Sequence, residues 1–176
     1  VKIIEQNKDK NNLLKEVGTF ARMIAEELGL DGQIAMRAGL LHDIGKVGIS
    51  ESILCKPGPL TKGEFEKMKE HTIIGEGIVK QLRLSDFIAP AVRGHHERWD
   101  GSGYPDGLAG EEINMGARII SIIDAYDAMT SDRPYRRSMP KEKAINILQE
   151  GKGTLWDAKL VEDFIEMIES IPLKEE

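Results

Sequence analysis

The chain has 176 residues, which is enough for one domain with a short tail but not for two full domains. Its formal net charge of −6 argues against a protein that coats DNA or RNA through a broad basic face, although a few local cations could still hold a small anion. The single cysteine, Cys55, excludes a framework of internal disulfides and fits a cytoplasmic protein, and no apolar run approaches the roughly 18 residues of a membrane span.

The N-terminal part of the sequence predicts a polar lead-in and two helices. Residues 1–12 are polar, and we expect one domain over residues 13–170 with a tail at residues 171–176. Because the chain begins with Val1, an upstream sensor or receiver domain is an open expectation. The first predicted helix ends at Gly29, and its apolar positions have helical spacing: Leu13, Val17, Phe20, Ala21, Ile24, Ala25 and Leu28. The second apolar stripe contains Ile34, Ala38, Leu41 and Ile44.

Two further helices are predicted before a glycine-rich loop. Thr61 and Glu64 have the spacing of a capping box at the start of a long helix. The apolar positions of that helix are Phe65, Met68, Ile78 and Leu82. The next helix leads into the pair His95-His96, and its apolar positions are Phe87, Ile88, Ala91 and Val92. The loop that follows contains Gly101, Gly103, Gly107 and Gly110.

The C-terminal part of the sequence predicts three more helices. The first has apolar residues at Ile119, Ile120, Ile123 and Tyr126. Pro140 suits the first turn of the second helix, and Asp157 can cap the third. The apolar face of the third helix contains Leu160, Val161, Phe164 and Ile168. No segment alternates strictly between apolar and polar residues, so strands are not expected beyond a short pair, and the sequence predicts one all-α domain of roughly seven helices.

All four histidines lie on or beside the predicted apolar faces. His42, which is followed by Asp43, could on its own be a helix cap or a hydrogen-bonded core group, and His71 could likewise be a core histidine. His95 and His96 are harder to explain in this way. Neighbouring side chains on a helix point about 100° apart, so both histidines reach one centre only at a helix end or with two metal ions.

Asp124 adds a carboxylate beside the most apolar run of the chain. Its burial is costly unless a cation accompanies it. Imidazoles and carboxylates together suit Fe, Mn, Zn, Co or Ni, and no set of thiolates is available. The donors exceed what one ion needs, and two ions about 3.5–4 Å apart would support in-line attack on a phosphoester. Lys46, about one turn after His42, could then hold a phosphate oxygen.

Several stretches of the sequence resemble the HD-GYP family of metal-dependent phosphohydrolases. Residues 42–46, His-Asp-Ile-Gly-Lys, resemble the HD signature of the superfamily. Residues 95–105, from His95 to Pro105, resemble the HD-GYP signature, which is long and highly specific. Residues 124–136 are similar to a downstream motif, and residues 151–157 to the closing segment of the family. The resemblance covers roughly residues 13–170.

The resemblance implies an all-helical HD fold and hydrolysis of the bacterial second messenger cyclic di-GMP to the linear dinucleotide, and in some members on to GMP. It implies two divalent transition-metal ions, with Fe or Mn preferred over Zn, Ni or Co. The implied metal ligands are His42, Asp43, His71, His95, His96 and Asp124. Asp43 would bridge the two ions and form the catalytic centre with Lys46. Lys46, Arg133 and Arg136 would contact the substrate.

Other residues of these motifs have two interpretations. Arg133 and Arg136 either contact the ligand or are solvated surface charges. The loop residues Gly101, Gly103, Tyr104 and Pro105 either only shape a turn or present a surface to a protein partner. Asp127, one turn after Asp124, is expected to contact the metal ligands rather than the metal ions themselves. Trp99 and Met129 are expected to pack against the protein rather than to stack on bases.

The sequence departs from the family pattern on the first helix. Family members usually have a histidine at a position that falls on or next to Leu13, and this chain has no histidine before His42. A glutamate present in members with three metals would fall near Asp9, so a third ion is not expected, and water or Asp9 would fill the gap. Two functions therefore stay open, a phosphodiesterase and a degenerate module that binds cyclic di-GMP or a protein with little turnover. A third is a phosphohydrolase for another nucleotide.

Overall fold

The computed structural model describes residues 16–132 and 137–170, and within these ranges the protein is all-α, as predicted. It has eight α-helices there, one more than expected, because a four-residue helix follows the first 3₁₀ helix. The α-helices are α1 (residues 16–27), α2 (Gly32–Leu41), α3 (Glu51–Leu54), α4 (Lys62–Gln81), α5 (Ile88–Gly94), α6 (Met115–Thr130), α7 (Lys141–Glu150) and α8 (Ala158–Ser170). Two 3₁₀ helices span Ile44–Gly48 and Gly110–Glu112.

Over the described ranges, β-structure is limited to two isolated bridges, Asp100 with Ala109 and Lys152 with Trp156. None of the helices in these ranges is both long and apolar enough to cross a membrane. Asp9 of the predicted lead-in, Leu13 of the predicted first helix, and the predicted substrate contacts Arg133 and Arg136 lie outside the described residues.

Local sequence signals place the helix starts. Thr61 and Glu64 form the predicted capping box of α4, with both reciprocal hydrogen bonds present. The Asp157 carboxylate accepts hydrogen bonds from the first backbone N–H groups of α8, at 3.0 Å from Lys159 and 3.4 Å from Leu160. Pro140 is the residue just before α7 rather than part of its first turn.

Helix α6 is the centre of the fold. On one side Ile119, Ile122 and Ile123 pack with buried residues of α1, α7 and α8. On the other side Ile120 packs with buried residues of α2, α4 and α5. Each fully buried isoleucine stabilises the fold by about 1.5–3 kcal/mol relative to an exposed one. Asp124 lies on this helix, so a carboxylate is held against the rigid centre of the molecule.

The structure corrects the predicted apolar stripes at their ends. Phe65 of α4 is 43% exposed and Leu82, just beyond α4, is 57% exposed, although both were expected on the buried face. Ile44 lies in the first 3₁₀ helix rather than in α2, because α2 ends at Leu41. Helical spacing alone predicts which residues share a face, but not how far the neighbouring helices cover that face.

Candidate metal centre

Helix ends bring the four histidines to one place. His42 is the C-cap residue of α2, and His95 is the C-cap residue of α5. His71 projects from the middle of α4, and His96 follows His95 just past the helix end. A helix end is one of the two conditions predicted for His95 and His96 to reach one centre, and the end of α5 meets it.

Three of the histidines are oriented in the same way. The Nδ1 atoms of His42, His71 and His95 each lie 2.6–2.7 Å from the carbonyl oxygen three residues earlier: Gly39, Met68 and Val92 respectively. A carbonyl oxygen only accepts hydrogen bonds, so each Nδ1 must be the protonated nitrogen. Each Nε2 therefore keeps its lone pair and can bind a metal ion, which is the arrangement usual for metal-ligating histidines.

Distances between the donor atoms fit shared metal ions. The Nε2 atoms of His71 and His95 are 3.4 Å apart, and His71, His95 and His96 each offer an atom within 4.8 Å of the others. Two nitrogens that both present lone pairs repel each other at this distance unless a cation lies between them. Donors that share one ion at bonds of about 2.1 Å lie about 3–4 Å apart. The donor set therefore fits a divalent metal.

Asp43 lies between two histidines. Its Oδ2 atom is 3.6 Å from Nε2 of His42, and its Oδ1 atom is 3.6 Å from Nε2 of His71. Oδ1 of Asp124 is 3.8 Å from the same Nε2 of His42. Asp43 has no side-chain capping bond to the 3₁₀ helix that it precedes, so the capping interpretation does not account for its carboxylate. Lys46 pairs with Oδ2 of Asp43.

The electrostatics favour the neutral forms of His71, His95 and His96 and the ionised form of Asp43. Burial lowers the pKa of His71 and, more strongly, that of His95. Burial also lowers the pKa of His96 to about 4, although the charge of Asp124 opposes this shift. Burial raises the pKa of Asp43, but His42 and Lys46 more than offset this and leave it below its usual value. At neutral pH these groups are already in the protonation states that bind metal.

A close backbone approach joins Asp43 to His71. Gly45 packs so tightly on α4 that a Cβ atom at this position would lie 1.8 Å from the carbonyl oxygen of His71 and 2.5 Å from the backbone nitrogen of Gly75. The His42-Asp43 segment is thereby pressed against the helix that carries His71. Only glycine permits this contact, since any side chain would overlap backbone atoms that cannot turn away.

The glycine-rich loop, residues 97–110, folds back over the metal centre. The backbone N–H of Tyr104 donates to the carbonyl of His96 at 3.2 Å, and the two rings are 4.8 Å apart with an angle of 31° between them. Gly101, Gly107 and Gly110 have positive φ angles, so glycine shapes the turns of the loop at these three positions. Burial and the charges of Asp43 and Asp124 raise the pKa of Tyr104, so its hydroxyl stays protonated.

The remaining predicted residues have the following positions. Met129 is buried in the core, and Trp99 packs against the guanidinium of Arg118, as expected. Asp127 is buried and accepts a hydrogen bond from the Ser131 hydroxyl at 3.1 Å, while its support of the metal ligands stays a prediction. Gly103 and Pro105 lie in the loop beside Tyr104, and their role toward a protein partner also stays a prediction.

Sequence reasoning missed Glu97. It is only 3% exposed, and its carboxylate accepts hydrogen bonds from backbone N–H groups of the glycine-rich loop. The signal was present in the sequence, because a loop rich in glycine has few side chains to satisfy its own N–H groups. A carboxylate at the start of such a loop can accept hydrogen bonds from these N–H groups.

The comparisons agree with this geometry. The sequence profile described as HD domain matches residues 2–160. The chain is 42% identical over 165 residues to the cyclic di-GMP phosphodiesterase of Thermotoga maritima, covering 89% of this chain and 44% of that protein. It is 40% identical over 146 residues to a 3'3'-cGAMP-specific phosphodiesterase of Vibrio cholerae, covering 81% of this chain and 32% of that protein. The chain thus spans less than half the length of these curated relatives.

A solved structure shows the same fold. The HDG"Y"P protein of Bdellovibrio bacteriovorus superposes with a TM-score of 0.71 at 20% identity, over 90% of this chain and 52% of that chain. The family expected from the four sequence stretches is therefore confirmed: the chain belongs to the HD domain family, and its residues 95–105 resemble the HD-GYP signature.

Proposed function

We propose that this domain is a metal-dependent phosphodiesterase that hydrolyses cyclic di-GMP to the linear dinucleotide. The position of Asp43 carries the proposal, because its two oxygens face the metal-binding nitrogens of two different histidines. A carboxylate in this position can hold two metal ions at once. When bound, such a pair of ions neutralises charge on a phosphate and activates water for in-line attack.

The donors fall into two groups that share Asp43. His71, His95 and His96 form one group, and His71 is the member that lies next to Asp43. His42 and Asp124 form the other. The second group has one protein donor fewer, which matches the absence of a histidine near Leu13. We propose Fe or Mn as the preferred ions, with Zn, Ni or Co as alternatives, because imidazole and carboxylate donors suit all of these.

Side chains at the edge of the centre would bind the substrate. The Lys46 side chain is 42% exposed while its ammonium contacts Asp43, so it can reach both the centre and an incoming phosphate. We propose that Arg133 and Arg136 add contacts to phosphate and guanine, since a guanidinium matches both in a bidentate manner. These cations would offset the overall negative charge of the chain.

Two cyclic dinucleotides are candidate substrates. The Thermotoga maritima relative is named for cyclic di-GMP, and a Vibrio cholerae relative for 3'3'-cGAMP. Both compounds carry two phosphodiesters in one ring, so the metal centre alone does not distinguish them. We propose cyclic di-GMP as the main substrate. Further cleavage to GMP, a cytoplasmic location, a protein partner at the glycine-rich loop and an upstream domain stay predictions.

The test is turnover of each dinucleotide by the purified chain with Mn(II) or with anaerobic Fe(II), followed by chromatography of the products. We expect the linear dinucleotide from cyclic di-GMP and a lower rate with 3'3'-cGAMP. Asp43→Asn removes a negative charge at nearly constant size and should lose at least 100-fold in rate. Glu111→Gln, a charge change at an exposed residue in the second 3₁₀ helix, is the matched control.

The same experiment separates the alternatives. Binding of cyclic di-GMP without turnover at saturating metal would favour the degenerate binding module. Turnover of 3'3'-cGAMP faster than that of cyclic di-GMP would reassign the substrate but keep the reaction. If the chain neither binds nor hydrolyses either compound at saturating metal, the proposed function is overturned.

A further inference from the structure

His96 differs from the other three histidines in how its ring is held. His42, His71 and His95 each donate from Nδ1 to a backbone carbonyl. Over the part of the chain that the structure describes, His96 has no such bond. Its ring instead contacts the rings of two other ligands, His95 at 4.1 Å between centroids and His71 at 5.2 Å, and on the loop side the ring of Tyr104 at 4.8 Å. The orientation of this imidazole therefore depends on the glycine-rich loop that carries Tyr104.

The carboxylate of Glu97 holds that loop. Its Oε1 atom accepts hydrogen bonds from the backbone N–H groups of Asp106, at 2.7 Å, and Gly107, at 3.2 Å. Its Oε2 atom accepts one from Leu108 at 3.2 Å. Three consecutive N–H groups thus converge on one buried carboxylate, and hydrogen bonds to an ionised acceptor are among the stronger ones in proteins.

A second contact fastens the same turn from outside. The guanidinium of Arg93, in α5, binds both carboxylate oxygens of Asp106 at 2.6 and 2.8 Å, and it also binds Glu76 of α4 at 2.8 Å. The turn between Tyr104 and Gly107 is therefore fixed to the two helices that supply His71 and His95. Glu97 contributes the inner and more deeply buried attachment.

We propose that Glu97 is a positioning residue of the metal centre, which holds the glycine-rich loop so that Tyr104 covers His96 and fixes the orientation of its ring. The inference rests on the proposed function, because it assigns His96 to the metal centre. Among the described residues, the hydrogen bonds of the Glu97 carboxylate go to backbone N–H groups of the loop and not to a metal-ligating nitrogen. It acts through the loop backbone and the ring of Tyr104.

The attachment can be tested without metal or nucleotide. Glu97→Gln keeps the size of the side chain but has one acceptor oxygen in place of two, and its amide nitrogen cannot accept a hydrogen bond. At least one of the N–H groups of Asp106, Gly107 and Leu108 should then exchange with solvent at least tenfold faster, as measured by hydrogen-exchange NMR. The control is Glu112→Gln, because Glu112 accepts a single hydrogen bond from Ala109 at the exposed end of the same loop.

The path through Tyr104 is tested by comparing variants. In the metal-free chain, Glu97→Gln and Tyr104→Ala should move the NMR signal of the His96 ring in the same direction, and the double variant should move it no further than Tyr104→Ala. Tyr104→Phe retains the covering ring and should leave the signal near its original position. Mn(II) affinity should follow the same pattern, with about a tenfold loss for Glu97→Gln, the lower end of the losses seen when a residue that supports a metal ligand is replaced.

Several outcomes would overturn the inference. An unchanged His96 signal in Glu97→Gln would do so. Losses of Mn(II) affinity that multiply in the double variant would also do so, because the free energies of two independent residues add and their affinity losses therefore multiply. The proposed function fails in a different way. If the parent chain binds neither Mn(II) nor Fe(II), the metal centre is wrong, whereas the His96 signals of the variants still decide whether Glu97 positions this ring.

Discussion

Replacing Gly45 with alanine tests whether the contact between the first 3₁₀ helix and α4 assembles the metal centre. The new Cβ atom would lie 1.8 Å from the His71 carbonyl oxygen, whereas ordinary contacts begin at 3.4 Å. The two segments must therefore separate by about 1.5 Å, and overpacking of this kind costs about 1–3 kcal/mol. Asp43 lies two residues before Gly45, so the 3.6 Å separation between its Oδ1 atom and His71 should grow to about 5 Å. The donors would then be too far apart to share an ion.

The assay is urea unfolding of the metal-free protein combined with Mn(II) titration. We expect Gly45→Ala to lower the free energy of unfolding by about 2 kcal/mol and Mn(II) affinity by at least tenfold. Gly77→Ala is the matched control, because a Cβ atom at this exposed position of α4 meets nothing within 4 Å. That variant should keep metal affinity and gain up to about 1 kcal/mol from its better helix propensity. A Gly45→Ala protein with the stability and metal affinity of the parent would refute the reasoning.

Four further predictions concern the metal ions, pH and the substrate. Asp43→Ala should lose most of both metal ions, which elemental analysis after reconstitution would show, and retention of two ions per chain would contradict the bridging position. The pKa of His96 is lowered to about 4, so below about pH 6.5 the unfolded chain binds a proton that the folded chain does not. Metal-free protein should therefore lose about 3 kcal/mol of stability between pH 6.5 and 4, and equal urea midpoints at pH 7 and 5 would be inconsistent with a half-buried His96 that stays neutral. Arg133→Ala should weaken cyclic di-GMP binding by about 1–3 kcal/mol without loss of metal. Unchanged affinity by calorimetry would favour the interpretation of Arg133 as a solvated surface charge. Leu13→His should increase metal retention and metal-stimulated hydrolysis. If neither this variant nor histidine variants at Lys10, Leu14 and Val17 gain metal affinity, the centre is complete without the first helix or the family's histidine position aligns elsewhere.

Much of the fold could be predicted because its signals are local. The helical spacing of Val17, Ala21 and Ile24 predicts a buried face of α1, and these residues are buried. The capping box of Thr61 and Glu64 likewise involves residues three positions apart, so spacing is enough to recognise it. The histidines and Asp124 could be selected because polar groups beside apolar runs require partners.

The rest depends on contacts between distant segments. Nothing in the spacing of Gly45 indicates that it meets the backbone of His71, and nothing near Tyr104 indicates that its ring reaches His96. The buried acceptor role of Glu97 follows from the path of a loop, which the sequence describes only as rich in glycine. The exposure of Phe65 is set by what the neighbouring elements leave uncovered, and local pattern does not contain that information.

Two helices end at the metal centre with their carboxyl termini. His42 closes α2 and His95 closes α5, so the partial negative charge of both helix ends adds to the carboxylates of Asp43 and Asp124. This field attracts divalent cations and repels a nucleotide that carries two phosphates. If the domain binds the proposed cyclic dinucleotide, metal binding and nucleotide binding are coupled, and thermodynamic reciprocity requires that each raise the affinity for the other by the same factor. Under the proposed function, scarcity of metal would then also lower the amount of nucleotide bound.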